Sequence, residues 1–243
     1  MQGTNTYIVG TGPKRLIIDT GQGIPGWVDL VSSTLATASA SLTQVLLTHW
    51  HGDHVGGVPN LVSLYPHLDR AIYKHSPSEE QQPITDGQVF HVEGATLRAV
   101  HSPGHSHDHM CFVLEEEGAM FTGDNVLGHG TGVYEHLGPW MATLRVMQEH
   151  DCAMGYPAHG DVIADLPAKI AGELAQKERR ERQVLLVLTQ GRTDMGPRQK
   201  GSLTFALVPF YDETLHKLAG DGKVGFEVRS GQKKWFILEV RHL

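Results

Sequence analysis

THWHGDH, residues 48–54, packs His49, His51, Asp53 and His54 into seven positions. QVLL at 44–47 comes directly before it, an apolar run with the length of a buried strand. VGGVP at 55–59 follows, a turn that leads into a helical pattern. The cluster therefore sits where a strand gives way to a loop, the usual place for a site on an α/β scaffold. Neutral imidazole and carboxylate are the ligands zinc takes when water has to stay reactive. In extended backbone, residues i and i+2 point the same way. His49 and His51 can thus converge on one ion. Asp53 and His54, past the bend at Gly52, are free to serve a second. A polar, His-rich surface loop is the plainer reading, and it accounts poorly for four ligand-type residues behind a buried strand.

Outward from this stretch, short elements alternate. Residues 6–9 and 15–19 read as two strands joined by the turn at 10–13. Asp19, at the end of the second, is placed either to hydrogen-bond a ligand histidine or simply to cap a turn. Residues 27–38 have helical spacing, and residues 61–65 suggest a short helix that ends at Pro66. Residues 71–74, 88–92, 96–100, 110–114 and 119–122 read as strands, the last four as a meander. Residues 137–150 are helical and 152–156 form a brief strand. The order predicts a mixed α/β (α+β) chain, two sheets packed together with helices outside: an αβ/βα sandwich.

The texture changes near residue 165, so two domains are expected, 1–164 and 165–243. The second holds a long helical pattern over 166–188, a loop at 191–201 and a helix over 212–218. A hairpin of 224–229 with 234–240 turns at 230–232. Helices followed by a hairpin suggest a small winged-helix-like module. The net charge of −7 divides unevenly. Residues 1–164 hold 6 Lys+Arg against 17 Asp+Glu, and residues 165–243 hold 14 against 10, so a basic tail follows an acidic body. That asymmetry points to an anionic partner, protein or nucleic acid. Glutamates break the basic run at 177–182, which reads as a solvated helix face. The tail aromatics Phe205, Phe210, Tyr211, Phe226, Trp235 and Phe236 read as core rather than as a stacking surface for bases.

Composition excludes several classes. No apolar run reaches membrane-spanning length, and the N-terminus lacks a signal-peptide pattern, so a cytoplasmic location is expected. Cys111 and Cys152 are the only cysteines, which fits a reducing compartment rather than a disulfide framework. There is no G-x-S-x-G nucleophile elbow and no Walker loop.

Three more ligand-type residues lie beside glycines just past apolar strands: His105 in SPGH, Asp124 in TGD and His159 in AHG. His101, His107 and His109 compete with His105, but only His105 directly follows the Pro-Gly turn. His107 and His109 are read as exposed or as hydrogen-bonded neighbours of the site. His129, flanked by glycines, is read either as facing the cleft or as an ordinary loop histidine.

The HxHxDH run resembles that of the metallo-β-lactamase-fold hydrolases, and the likeness extends well beyond it. GTNTYIVG (3–10), RLIIDTGQG (15–23), VLLTHWHGDHVGGVPNL (45–61) and YKHSP (73–77) carry it through the first half. DGQVFHVEGATLRAVHSPGHSHDHMCFVLEEE (86–117), AMFTGDNVLGHGT (119–131) and GYPAHGDVIADLPAKIAGELAQKERRERQ (155–183) carry it through the rest. These stretches are similar to the fungal metallo-β-lactamase-type thioesterases, the atrochrysone carboxyl ACP thioesterase-like group. The resemblance implies the αβ/βα sandwich already expected, and two Zn²⁺ ions per chain. His49, His51 and His105 would hold the first ion, Asp53, His54 and His159 the second, and Asp124 would bridge them. Asp53 would also act catalytically, holding the attacking water and relaying its proton. The implied reaction releases a polyketide from the acyl carrier protein of a non-reducing polyketide synthase, in secondary metabolism. A thioester suits such a site, because a thiol with a pKa near 8.5 leaves with little acid help. Alternatives of related chemistry are a metal-dependent endoribonuclease acting on single-stranded RNA and a glyoxalase II-like glutathione thioester hydrolase. Members of the group usually carry a further N-terminal segment with a first strand before GTNTY. The chain here starts at Met1, so that strand is expected to be missing.

Overall fold

The computed structural model describes residues 3–193, 208–229 and 231–238. Ten short strands form two five-stranded sheets. The first sheet holds β1 (Tyr7–Val9), β2 (Lys14–Ile18), β3 (Ser41–Leu47), β4 (Ile72–Lys74) and β5 (Gln82–Pro83), in that order. β1 runs antiparallel to β2, and the remaining neighbours are parallel. The second holds β6 (Val89–Val92), β7 (Ala95–His101), β8 (Met110–Leu114) and β9 (Ala119–Gly123) as the expected meander. β10 (Met154–Pro157) is added parallel to β9. The two-residue β5 carries no period of its own, and nothing in the sequence marks it.

The helices are α1 (Trp27–Thr37), α2 (Gly52–Val55), α3 (Val58–Leu64), α4 (Leu137–Glu149), α5 (Leu166–Thr193) and α6 (Val208–Gly220). A hairpin, β11 (Val224–Arg229) with β12 (Gln232–Ile237), closes the described chain. Alternation along the strands builds the layers. Leu16 and Ile18 of β2 face the second sheet, where they meet Leu97, Ala99, Phe112 and Phe121. Ile17, between them, faces outward against Val31, Leu35 and Leu61 of α1 and α3. On the far side, Val100, Cys111, Val113 and Met120 lie under Trp140, Met141 and Leu144 of α4 and Leu166, Ile170 and Leu174 of α5. The result is helix, sheet, sheet, helix, as period-2 strands with apolar residues on both faces require.

α5 is longer than the sequence pattern, extending five residues past Leu188 and through Gly191. The remainder of the loop expected at 191–201 lies outside the described residues. The helix spans two cores: Leu166, Ile170 and Leu174 belong to the sandwich, whereas Val184 packs with Leu215, Leu218, Val224 and Trp235. The basic run is not wholly solvated, contrary to expectation. Lys177 and Glu181, one turn apart, are buried. Lys177 Nζ lies 5.0 Å from the Tyr134 ring centroid and 5.4 Å from that of Trp140, and Glu181 pairs with Lys217 at 2.7 Å. A helix wedged between two cores has more than one buried stripe. The aromatic expectation also needs correction. Trp235 is buried, but Phe236, its neighbour along β12, points to the opposite face of the hairpin and is 44% exposed, and Phe226, which lies across from Trp235 with ring centroids 5.0 Å apart, is still 47% exposed. Phe205 and the side chain of Phe210 lie outside the described residues.

Candidate metal centre

The donor residues come from loops at strand ends of both sheets. β3 ends at Leu47, and the chain turns through His49 and His51 into α2, which presents Asp53 and His54. His105 follows β7, Asp124 follows β9 directly, and His159 lies two residues past β10. Gly104 fixes the approach of the His105 loop. Its φ is +137°, and a Cβ there would fall 2.3 Å from the Trp140 backbone. The loop is also anchored by a buried ion pair, Lys74 Nζ with Asp108. Asp108 accepts from Ser106 Oγ at 2.8 Å, and Lys74 donates to the carbonyls of His75 and Ser76.

Two donor sets result: His49, His51, His105 and Asp124, and Asp53, His54 and His159. In the first, His51 Nδ1 lies 2.9 Å from His49 Nε2 and 3.0 Å from His105 Nε2, and the latter two are 3.2 Å apart. Three imidazole nitrogens at this spacing suit one shared cation at about 2.0–2.1 Å from each. In the second, His159 Nε2 lies 3.3 Å from both Asp53 Oδ2 and Asp124 Oδ1. His54 Nε2 is 3.7 Å from Asp53 Oδ2 and 3.5 Å from Asp124 Oδ1. The other Asp124 oxygen, Oδ2, is 3.5 Å from His105 Nε2, so this carboxylate turns one oxygen to each set.

The opposite ring nitrogens are already occupied. Thr48 Oγ1 donates to Asp19 Oδ2 at 2.8 Å and accepts from His49 Nδ1 at 3.0 Å. His54 Nδ1 donates to Asp19 Oδ2 at 2.8 Å, and His105 Nδ1 donates to the Val133 carbonyl at 2.8 Å. His159 Nδ1 faces the Gly3 carbonyl at 3.4 Å. Each of these rings is thereby held with its Nε2 free for the centre, the arrangement that outer partners impose on metal-ligating histidines. Of the two readings of Asp19, the histidine partner is the one observed. Its backbone is left-handed, φ 58°, a conformation uncommon outside glycine.

The donor set fits a metal pair on a further count. His54 Nε2 and Asp124 Oδ1 are buried and have no hydrogen-bond partner. A buried polar atom left so is costly unless something else coordinates it. The electrostatics agree in the first set, whereas in the second the carboxylates favour protonated imidazoles, whose protons a bound cation would displace. Burial pushes the His49 and His105 pKa values down, which keeps these imidazoles neutral as ligands must be. Burial also opposes charge on His54, but Asp19 and Asp124 outweigh it and lift its pKa to about 10. The Asp124 carboxylate, 3.3 Å away, raises that of His159 against partial burial. Asp124 is lowered well below the carboxylate range, since His159 and His54 overcome its desolvation.

The remaining histidines separate clearly. His107 and His129 are exposed. His109 is fully buried, stands outside both donor sets and accepts from the Asp124 backbone N–H at 3.0 Å. Its Nδ1 faces Ser102 Oγ at 2.9 Å. His101 stacks on His75 with ring centroids 4.3 Å apart. Asn125 is a support that the sequence reading missed. It accepts from His105 N–H at 3.3 Å and donates to the Ser102 carbonyl at 2.7 Å, and its only signal was adjacency to Asp124.

A family model described as metallo-beta-lactamase superfamily matches residues 2–159. The chain belongs to the metallo-beta-lactamase superfamily. Among curated members of that superfamily, an atrochrysone carboxyl ACP thioesterase of Emericella nidulans is 64% identical, over 98% of this chain and 81% of its own. The thioesterase of the same name from Aspergillus terreus is 63% identical, with 98% and 81% covered. Among solved structures, a beta-lactamase domain protein from Burkholderia ambifaria superposes with a TM-score of 0.74 at 16% identity, covering 97% of this chain and 88% of that one. That likeness concerns the metallo-beta-lactamase fold alone.

Proposed function

We propose that this protein is a zinc-dependent thioesterase. It hydrolyses the thioester between an acyl carrier protein and a polyketide made by a non-reducing polyketide synthase, and releases an acid of the atrochrysone carboxylic acid kind. The observation that carries the hydrolytic reading is the pair of donor sets sharing Asp124, with His54 Nε2 and Asp124 Oδ1 buried and otherwise unpartnered. The names of the two relatives at 63% and 64% identity support the choice of a carrier-bound thioester.

His49, His51 and His105 would hold one ion, Asp53, His54 and His159 the other, and Asp124 both. When bound, two zinc ions supply a nucleophilic water near neutral pH and polarise the scissile carbonyl. Asp53 is the more accessible carboxylate, its side chain 25% exposed against 11% for Asp124. It holds the attacking water and accepts its proton. Water adds to the carbonyl carbon, the carbon–sulfur bond breaks, and the thiol leaves with little acid assistance because its pKa is near 8.5. The free, buried Cys111 and Cys152 accord with work in the reducing cytoplasm. Among the described residues no helix is long and apolar enough to cross a membrane. We take the catalytic domain as residues 1–164 and the helical module as 165–243, with α5 joining them.

The test is purified protein with a polyketide-loaded carrier protein, alone and with its synthase. Acid release that vanishes in His49→Ala supports the reading. Cleavage of single-stranded RNA without thioester turnover would replace it with a nuclease, and turnover of lactoylglutathione with a glyoxalase II-like hydrolase. Elemental analysis of the active protein identifies the metal, since Mn²⁺ and Fe²⁺ accept the same donors.

A further inference from the structure

The two flanks of the centre differ in chemistry. Trp50 lies between the ligands His49 and His51 in sequence, and its ring packs edge-on to that of His51, centroids 4.5 Å apart. Of the four tryptophans, Trp140 and Trp235 are buried and Trp27 is half-buried, but Trp50 is 49% exposed. Val133 is likewise tied to the first donor set, since its carbonyl holds the His105 ring, and its side chain is 63% exposed. Two large apolar groups thus stand open to solvent on residues tied directly to the first donor set. The flank beyond His159 is different. There the Gly128 N–H donates to the His159 carbonyl, and the loop continues to Gly130, whose carbonyl accepts from Lys169 Nζ at 2.7 Å. A groove of about 320 Å³ lies here between the loop and α5, lined by Gly130, Thr131, Lys169, Gln176 and Arg179 among others.

A carrier-bound thioester has the same two-sided character. One side of its sulfur bears the acyl chain and the other a polar pantetheine arm that ends in a phosphodiester. We propose that Trp50 is the acyl-side specificity residue, the face on which a flat, conjugated polyketide acyl group lies as its carbonyl enters the centre. This rests on the thioesterase reading. An indole supplies a large rigid apolar face at little entropic cost, and a fused or conjugated acyl group covers it where a short alkyl group does not. Contact made away from the scissile bond then orients the carbonyl at the centre.

The test compares kcat/KM for 1-naphthoyl-pantetheine and acetyl-pantetheine in the wild type, Trp50→Phe and Trp50→Ala, with zinc content measured in each. The naphthoyl-to-acetyl ratio is expected to fall about tenfold in Trp50→Ala, equivalent to about 1.4 kcal/mol. It should stay near wild type in Trp50→Phe, with zinc content the same in all three. Equal losses on both thioesters, or loss of zinc from Trp50→Ala, would overturn the proposal, because the indole would then act only by supporting His51. Hydrolysis of neither thioester by the wild type would remove the thioesterase reading itself. RNA cleavage that depends on Trp50 would reassign the ring to stacking on bases.

Discussion

Asp19 shows how much of the centre is decided by single side chains. Its carboxylate takes the Thr48 N–H and hydroxyl and the His54 Nδ1–H, each at 2.8 Å. Removing its charge should leave the fold intact and loosen His54 and, through Thr48, His49. Asp19→Asn is expected to lower zinc affinity about 10–100-fold, the usual result of losing such an outer partner, as read by competition with a chromogenic chelator. Wild-type affinity would refute the role. For the attacking water, Asp53→Ala is expected to cost about 10²–10⁴-fold in kcat, the range of a general base, and more if an ion is lost with it. Metal content measured alongside separates the two. Lys74 and Asp108 do not touch the donors but fix the loop that carries His105. Lys74→Met strands a buried carboxylate, and breaking a buried pair this way is expected to remove about 3–5 kcal/mol of stability. Urea denaturation reads this directly, and a loss below 1 kcal/mol would show that Asp108 is hydrated or protonated instead.

At the scale of the elements, the strand-to-loop junctions set the geometry. β3, β7, β9 and β10 each end in a loop that carries one or more of the candidate donors. Gly104 makes one such junction possible by bringing the loop backbone against the start of α4. Gly104→Ala should therefore both strain the backbone and push the loop away from Trp140. Strain alone is about 1–3 kcal/mol, so a lowered urea midpoint with weaker zinc binding is expected, and wild-type values for both would refute the contact. The strands, the meander and α4 were legible from periodicity, and most boundaries agree to within one or two residues. β5 was not, because two residues carry no period. α5 was underestimated, because it serves two cores in turn. Its first half buries Leu166, Ile170 and Leu174, and further on Lys177, Glu181 and Val184 turn inward, so no single stripe describes it.

For the whole molecule, the centre joins the two sheets. His49, His51, Asp53 and His54 hang from the first, and His105, Asp124 and His159 from the second. Ions held between them would brace the sandwich as well as do chemistry. Free zinc at 100 times its dissociation constant adds about 2.7 kcal/mol to a one-site protein, and 1 kcal/mol moves Tm by about 2–4 °C at this size. Chelation is therefore expected to lower Tm by about 5–10 °C, reversibly on return of zinc. An unchanged Tm in differential scanning fluorimetry would mean that the ions do not bridge the sheets. By itself the sequence determined which residue types were present and where they stood along the chain. Ligand chemistry, strand endings and apolar alternation are local properties, so candidate donors and the layered fold could be read along the chain, while the allotment of donors to two ions came from the family resemblance. Only the tertiary structure decided which atoms face one another. That Asp124 gives one oxygen to each set, that Asp19 holds His54, and that Trp50 stays open while Trp140 is buried depend on contacts between residues from 15 to 70 positions apart. No local period encodes such contacts; they exist only once the two sheets have packed.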